Sequence, residues 1–485
     1  MKKRPNLLFI LTDDQGAWAM RCAGNSDIQT PNLDRLASQG TRFENFFCAS
    51  PVCSPARASI LTGCIPSQHG VHDWIRSGSL DKNALGEHAD HPYFASETTP
   101  IQYLEGRVTY PDLLAQNGYT CALSGKWHLG DSMTPQHGFS HWYTIGRGGC
   151  MYRQPDVVEN GELRLETRYI TDLITDRALQ YLDDFAKQEE PFYISVHYTA
   201  PHDPWDEDQH PKEYIDLYRD CEFTATPNEP LHPNLIPTAP SGTGEERKRL
   251  LRGYYAAVTA MDAGVGKLLD RLEELGLAED TLVIFTADNG MNMGHHGIWG
   301  KGNGTFPFNL FDTSVKVPFI ARWPGNILSG RVTQSMCSHY DIIQTLNEML
   351  CLNGELPEDL PGKSFANVLL NGEDSDNHVV ILDEYGNSRM IRNREWKYIH
   401  RYPYGPCELY DLVHDPDEKK NLVDEPKYEA VKTDLLARLQ KWYYRYADPA
   451  VDGTREAVTG FGQLCRPGVY SEGKNTYANS PKYQK

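Results

Sequence analysis

A thiol, a proline and a guanidinium stand at fixed steps in Cys53-Ser54-Pro55-Ala56-Arg57-Ala58-Ser59-Ile60-Leu61-Thr62-Gly63. Pro55 suits a first helical turn and predicts Cys53 at the N-cap. Free amides and the positive end of the helix dipole would then face any anion reaching residue 53. Arg57, four residues on, shares that helix face. Asp13 and Asp14 end an apolar run that begins at Asn6, and adjacent carboxylates repel each other unless a cation binds them. Asp288 and Asn289 end a second run, Thr281–Thr286. Three carboxylates and one amide oxygen form an all-oxygen set suited to Ca²⁺ or Mg²⁺, not to Zn²⁺.

Basic groups recur in the same way. Lys126 and His128 lie in Gly125-Lys126-Trp127-His128-Leu129-Gly130, after the run Thr120–Leu123. His202 lies in Pro201-His202-Asp203-Pro204, after Phe192–Val196, and Lys301 lies in Gly294-His295-His296-Gly297-Ile298-Trp299-Gly300-Lys301-Gly302. A single Lys or His is usually a solvated surface group or a satisfied core residue. Recurrence behind apolar runs turns Lys126, His128, His202 and Lys301 toward function, while His197, His295 and His296 are balanced between the two. His69, His72 and Asp73, in Gln68-His69-Gly70-Val71-His72-Asp73-Trp74, either line a pocket or pack a loop.

Together these segments resemble the formylglycine-dependent (type I) sulfatases of the alkaline phosphatase superfamily. Their signature, Cys-x-Pro-x-Arg followed by Thr-Gly, is matched at Cys53, Pro55, Arg57, Thr62 and Gly63. Five fixed positions match by chance in about one or two of 10,000 chains of this length. The Gly-Lys-Trp-His-Leu-Gly, Pro-His and His-Gly…Lys-Gly segments of that family are present from Asn6 to about Pro324. A weaker likeness continues through Glu408-Leu409-Tyr410-Asp411-Leu412 to Asn421-Leu422. The resemblance implies that a maturation enzyme oxidises Cys53 to formylglycine. It implies one divalent cation, Ca²⁺ before Mg²⁺, held by Asp13, Asp14, Asp288, Asn289 and residue 53. One hydroxyl of the hydrated aldehyde would attack sulfur. Arg57 and Lys126 would hold charge around residue 53, and His202 or Lys301 would protonate the leaving alcohol. His128 would serve as base when the second hydroxyl expels sulfate. Lys126, His202, Lys301, His296 and His72 are the expected substrate contacts.

Such residues need a scaffold that brings strand ends together. The runs Asn6–Leu11, Thr120–Leu123, Phe192–Val196, Thr281–Thr286 and Val317–Ala321 read as strands buried on both faces. Helical patterns fall between them: from Thr30-Pro31 to Gly40, from Thr109 to Gly118, over Ile170–Ala186 and over Glu245–Leu275. The alternation predicts an α/β fold, a large mostly parallel sheet sandwiched by helices, with functional residues at the carboxyl ends of its strands. Residues 203–244 read as an inserted surface excursion. Loop-like composition at 355–378 marks a boundary, giving a catalytic domain over 1–370 and a smaller C-terminal α+β subdomain over 371–450. That subdomain should hold strands Val379–Leu382, Trp396–His400 and Glu408–Leu412 and a helix over Tyr428–Tyr446. The tail, 451–485, has little to bury and is expected to be disordered or to drape over this or a neighbouring subunit, as in a homo-oligomer.

Composition limits the alternatives. The 485 residues carry 47 Lys and Arg against 66 Asp and Glu, a net charge of −19, which argues against nucleic-acid and anionic-membrane partners. No run of about 18 apolar residues offers a membrane span. The apolar run Leu7–Leu11 is shorter than the roughly 7–15 residues of a signal core. The eleven cysteines are scattered without metal spacing and are expected to be reduced. A cytoplasmic location is expected, and together with the sulfatase resemblance this implies a small sulfated substrate, such as a sugar sulfate. A phosphonate monoester or phosphodiester hydrolase of the same superfamily is the first alternative, and a non-catalytic binding protein that keeps the fold is the second.

Overall fold

A computed structural model describes residues 4–479. A ten-stranded sheet is built from β1 (Asn6–Thr12), β2 (Thr41–Phe47), β3 (Thr120–Gly125), β4 (His141–Ile145), β5 (Asp156–Glu159), β6 (Glu162–Leu165), β7 (Phe192–His197), β8 (Thr281–Ala287), β11 (Phe319–Arg322) and β12 (Arg331–Ser338), with a short ribbon of β9 (Asn292–Met293) and β10 (Trp299–Gly300) between the last three. Its order is β12-β2-β11-β8-β1-β7-β3-β4-β5-β6. The central block β8-β1-β7-β3-β4 is parallel, as expected. Antiparallel pairs flank it, with β11 against β8 and β2 on one side and β4-β5-β6 on the other, so the sheet as a whole is mixed.

β1 shows why apolar runs form the centre. All seven of its residues are buried. Leu7, Phe9 and Leu11 enter the core on one face, and Leu8 and Ile10 enter the core on the other, as the two-residue period of a strand requires. Helices Pro31–Ser38, Ile170–Phe185 and Gly244–Glu274 cover the second face. Helices Cys53–Thr62, Tyr110–Gln116 and Ile342–Met349 cover the first. The Tyr110–Gln116 helix starts where the sequence placed it: the Thr109 hydroxyl accepts the Asp112 N–H in a capping box. Residues 203–244 hold only the short turns Glu207–Gln209 and Lys212–Asp216.

One local expectation is corrected. Val52, in extended conformation, is the N-cap of the Cys53–Thr62 helix, and Cys53 is its first helical residue. The Ala56 N–H already reaches the Val52 carbonyl at 3.0 Å. The thiol therefore starts one position further into the turn.

The C-terminal part is an antiparallel sheet, β13 (Val379–Asp383), β14 (Ser388–Arg392), β15 (Trp396–Arg401) and β16 (Glu408–Asp411), backed by the helix Glu429–Tyr446. β14 is a strand the sequence reading lacked. Residues 451–479 also differ from the expectation of little burial: Gln463 is fully buried and Tyr477 is 6% exposed. Their contacts are to this same chain. No helix among the described residues is long and apolar enough to cross a membrane.

A buried ion cluster joins the two parts. Asp312 accepts from Lys397 at 2.7 Å and from Arg392 at 3.0 Å, and its own N–H donates to Glu418 at 2.7 Å. Lys397 is fully buried and also donates to the Leu310 carbonyl at 2.8 Å and to Glu418. Asp312→Ala leaves two buried cations short of a counter-charge. A loss of about 3–5 kcal/mol is expected, read as a clear drop in Tm, whereas an unchanged Tm would show that the cluster does not hold the parts together.

Candidate active site

Four neighbouring strands deliver the site. β1 ends in Asp13-Asp14, β8 in Asp288-Asn289, β3 in Lys126 and His128, and β7 leads through 198–201 to His202. The register pairs Thr12 with Ala287 and Gly125 with His197, so these ends lie at one level. The Asp288 N–H donates to the Thr12 carbonyl at 3.0 Å, stitching the two acidic ends together.

All three carboxylates are buried, and each has a cation assigned to it. Lys126 Nζ lies 2.5 Å from Asp13 Oδ2 and is itself fully buried. Lys301 Nζ lies 2.6 Å from Asp14 Oδ1 and 2.8 Å from Cys53 Sγ. Arg57 donates from Nε to Asp288 Oδ2 at 3.0 Å and from Nη1 to the Lys126 carbonyl at 3.0 Å, and its Nη2 forms an ion pair with Asp288 Oδ2 at 2.9 Å. Burial disfavours the charge on Asp288, yet Arg57 and then Lys126 outweigh it and hold the carboxyl below its usual range. Burial likewise opposes the charge on Lys301, and Asp14 reverses the balance. Cys53 Sγ stands 3.4 Å from Asp13 Oδ1 and 3.9 Å from Asp14 Oδ1. Burial pushes this thiol up, so Cys53 is no thiolate nucleophile at neutral pH.

The donor set fits a hard divalent cation. Ligand atoms of Asp13, Asp14 and Cys53 lie within 4.8 Å of one another. Asn289 Oδ1 is buried without a hydrogen-bond partner among the described residues, while its Nδ2 donates to Asp14 Oδ1 at 2.8 Å. A buried amide oxygen with no donor costs about 1–3 kcal/mol, which a cation at that oxygen would offset.

The histidines divide. His202 Nδ1 sits 3.0 Å from Asp203 Oδ1, and its Nε2 sits 3.7 Å from Asp14 Oδ2. Burial works against its charged form, but Asp203, Asp14 and Asp13 together raise it to about 9. His128 holds a left-handed backbone (φ 57°), and its Nε2 lies 3.1 Å from the Ile75 carbonyl. His197 does not reach the reacting group. It is lowered to about 3 by burial and bonds Ser195 at 2.7 Å and the Lys126 carbonyl at 2.9 Å, which makes it a support for the Lys126 backbone.

Two expected substrate contacts lie apart from the Cys53 cavity. His296 stacks on Phe311 at 3.8 Å between ring centroids, and burial lowers it to about 4. His72 is held under the tail by the Tyr477 hydroxyl at 2.7 Å. Neither lines a cavity at Cys53. His295 packs on Trp18, His69 bonds Ser59 at 3.1 Å, and the Asp73 carboxylate accepts backbone N–H groups, so all three are structural.

A cavity of about 270 Å³ opens over Cys53, lined among others by Trp74, Ile75, His128, Arg147, His202 and Lys301. A second, of about 450 Å³, shares His202, Lys301 and Asn303 with it. A third, of about 510 Å³ and largely apolar, meets both at His202. Trp74, Arg147, Gly148, Asp203 and Asn303 were not among the site residues expected from sequence. For Gly146-Arg147-Gly148-Gly149 a signal existed: it follows β4, another parallel strand, at its carboxyl end.

Comparison with known proteins agrees with this geometry. The sulfatase family model matches residues 5–350, and the model of the N-sulphoglucosamine sulphohydrolase C-terminal region matches residues 294–445. An N-acetylglucosamine-6-O-sulfatase from Bacteroides thetaiotaomicron is 28% identical over 92% of this chain and 87% of its own. A solved structure of a protein in complex with its substrate D-glucosamine-2-N,6-O-disulfate superposes with a TM-score of 0.74 at 25% identity, covering 93% of this chain and 99% of the other. A phosphonate monoester hydrolase from Agrobacterium radiobacter shares the fold, with a TM-score of 0.70 at 22% identity over 91% of this chain and 96% of its own. The chain belongs to the sulfatase family, and its activity is that of a sulfuric ester hydrolase.

Gly148 supplies a direct test of the site's geometry. A Cβ there would stand 2.0 Å from His128 Nε2, so even alanine must displace the imidazole. Gly148→Ala should lower sulfate-ester turnover by about 10²-fold, the cost of roughly 1 Å of misplacement, with Tm nearly unchanged. Unaltered turnover would remove His128 from the machinery.

Proposed function

We propose that this member of the sulfatase family hydrolyses a sulfate monoester of a small carbohydrate, with residue 53 acting as formylglycine and one divalent cation, Ca²⁺ before Mg²⁺, as cofactor. The observation that carries the reading is the placement of Cys53: its side chain is buried and ringed by Asp13, Asp14 and Lys301. Burial pushes the unmodified thiol up and away from a thiolate nucleophile, whereas an oxygen nucleophile there has carboxylates and a lysine beside it. The named relatives act on N-acetylglucosamine-6-O-sulfate and glucosamine disulfate chemistry, which supports a sugar as the alcohol.

Asp13, Asp14, Asp288 and Asn289 would hold the cation together with residue 53. The hydrated aldehyde supplies a hydroxyl nucleophile and a second hydroxyl, and the cation supplies a Lewis acid toward sulfate oxygens. The chain's own residues do the rest. Lys126 and Lys301 present positive charge where charge grows on the sulfuryl group, an electrostatic stabilisation fixed before reaction. Arg57 holds Asp288 and the Lys126 backbone in place. His202, protonated below about pH 9 with Nδ1 on Asp203, presents Nε2 for proton donation to the leaving alcohol. His128 must donate from Nε2 to the Ile75 carbonyl, because a carbonyl only accepts, so Nδ1 is its proton-accepting nitrogen. The reading includes a formylglycine-generating partner and a reducing, cytoplasmic setting, in keeping with eleven free thiols.

Removing either half of the centre should stop turnover. Cys53→Ala should fold normally and release no sulfate. EDTA should inactivate the wild type, with Ca²⁺ restoring it, and Asp288→Ala should not respond to the added ion. Residual turnover above about one per cent in Cys53→Ala would end the formylglycine assignment, and phosphonate esters cleaved faster than sulfate esters at equal concentration would favour the superfamily alternative.

His202→Ala should reduce sugar-sulfate hydrolysis about 10²–10⁴-fold and nitrophenyl-sulfate hydrolysis far less, because a nitrophenolate departs without a proton. Equal losses on both substrates would transfer the acid role to Lys301.

A further inference from the structure

Both family matches end by residue 445, yet the chain beyond it returns to the site. Residues 459–478 lie along the loop 70–76, which carries Trp74 and Ile75 into the wall of the Cys53 cavity. Gln463 is the centre of the contact and is fully buried. Its Oε1 accepts the N–H groups of His72 at 2.9 Å and Asp73 at 3.4 Å, and its Nε2 donates to the Gly70 carbonyl at 2.9 Å. Its backbone forms a bridge beside Ile75: the Gln463 N–H donates to the Trp74 carbonyl at 2.8 Å, and the Arg76 N–H donates to the Gln463 carbonyl at 2.9 Å. Asp73 Oδ2 accepts the N–H groups of Gly460 at 3.0 Å and Gly462 at 3.1 Å, and Tyr477 bonds His72.

The gripped loop in turn holds residues that face the cavity. The Ile75 carbonyl accepts from His128 Nε2, and the Arg76 carbonyl accepts from Arg147 Nη2 at 3.0 Å. The Ile75 N–H donates to the hydroxyl of Ser54, next to the reacting residue, at 3.0 Å. Among the described residues, no tail residue lines the cavity itself. The sulfate end of the site, made of Cys53, Lys126, Lys301 and the carboxylates, has its own ion pairs and, among the described residues, takes no hydrogen bond from the tail. The tail therefore acts on the wall that meets the alcohol part of a substrate.

We propose that residues 459–478 are a positioning strap that sets the sugar-contacting wall, Trp74, Ile75 and Arg147, by clamping Asp73–Arg76. The inference rests on the sulfatase reading of the cavity, and its strap contacts are independent of that reading. The clamp is built from two backbone hydrogen bonds and from side-chain bonds of Gln463, Asp73 and Tyr477, so its loss loosens the loop without removing any group that touches sulfate.

Three proteins test it: Gln463→Ala, Tyr477→Phe and a chain ending at Val458. Hydrogen exchange of the 70–78 peptide and KM on two substrates, a sulfated sugar and nitrophenyl sulfate, are the readouts. In Gln463→Ala and the shortened chain, exchange over 70–78 should rise. KM for the sulfated sugar should rise about tenfold while KM for nitrophenyl sulfate stays within about twofold, with kcat falling alike for both through His128. Tyr477→Phe, which loses one bond, should show a smaller shift in the same direction. Unchanged exchange at 70–78, or KM values that move equally for both substrates with a falling Tm, would overturn the strap and leave the tail a plain cover. Rising exchange in the variants, with a wild type that cleaves neither sulfate ester, would instead uphold the clamp and sink the functional reading beneath it.

Discussion

Three buried carboxylates at the ends of two adjacent strands are the constraint around which the molecule is arranged. Asp13, Asp14 and Asp288 cannot stay charged together in a low-dielectric interior without counter-charge, because removing such ions from water costs several kcal/mol each. The chain answers with one cation per carboxylate: Lys126 on Asp13, Lys301 on Asp14, Arg57 on Asp288. Each comes from a different element, so the parallel centre of the sheet, the Cys53–Thr62 helix and the segment behind β10 must all assemble before the charges balance. Beside them the Asn289 oxygen is buried without a hydrogen-bond partner among the described residues.

That local arrangement also resolves an apparent conflict with the whole. A chain of net charge −19 repels anions at long range, and a sulfate ester is an anion. Arg57, Lys126 and Lys301 lie within hydrogen-bonding distance of the acidic cluster and His202 lies 3.7 Å from Asp14, so four cations cancel the charge of Asp13, Asp14, Asp288 and Asp203 where it matters. Burial strengthens these interactions because little water screens them. Specificity for an anion therefore lives in the cavity and not in the surface field.

Support for these groups runs outward in layers of backbone hydrogen bonding. The Lys126 carbonyl accepts from both Arg57 and His197, and His197 in turn is held by Ser195, which accepts from Tyr193 at 2.8 Å. Asp14 and His128 both hold left-handed backbone, at φ 61° and 57°, a conformation costing about 1–3 kcal/mol in a residue with a side chain and kept only where its surroundings enforce it. On the opposite wall the enforcing element is the tail, through Gln463 and the Ile75 bridge.

Much of this was legible in the sequence, for a physical reason. Strands buried on both faces must be continuously apolar, so Asn6–Leu11 and Thr281–Thr286 announce themselves, and polar residues that end such runs have to sit at strand ends. The motif around Cys53 named its helix to within one residue; the shift from N-cap to first helical position depended on Val52, whose extended backbone no composition rule marks. Local order could not decide which loops meet. β2, β5 and β14 pair through tertiary contacts and alternate too weakly to stand out. His72 and His296 carried the right chemistry in the right neighbourhood, and packing turned one under Tyr477 and the other onto Phe311. Gln463 lies 390 residues from Asp73, and only the folded chain brings a polar, Gly-rich tail back to the cavity wall. Local sequence determined the chemistry-bearing groups and their strands; tertiary structure decided which histidines line the Cys53 cavity and what holds its wall, because those depend on contacts between segments far apart in the chain.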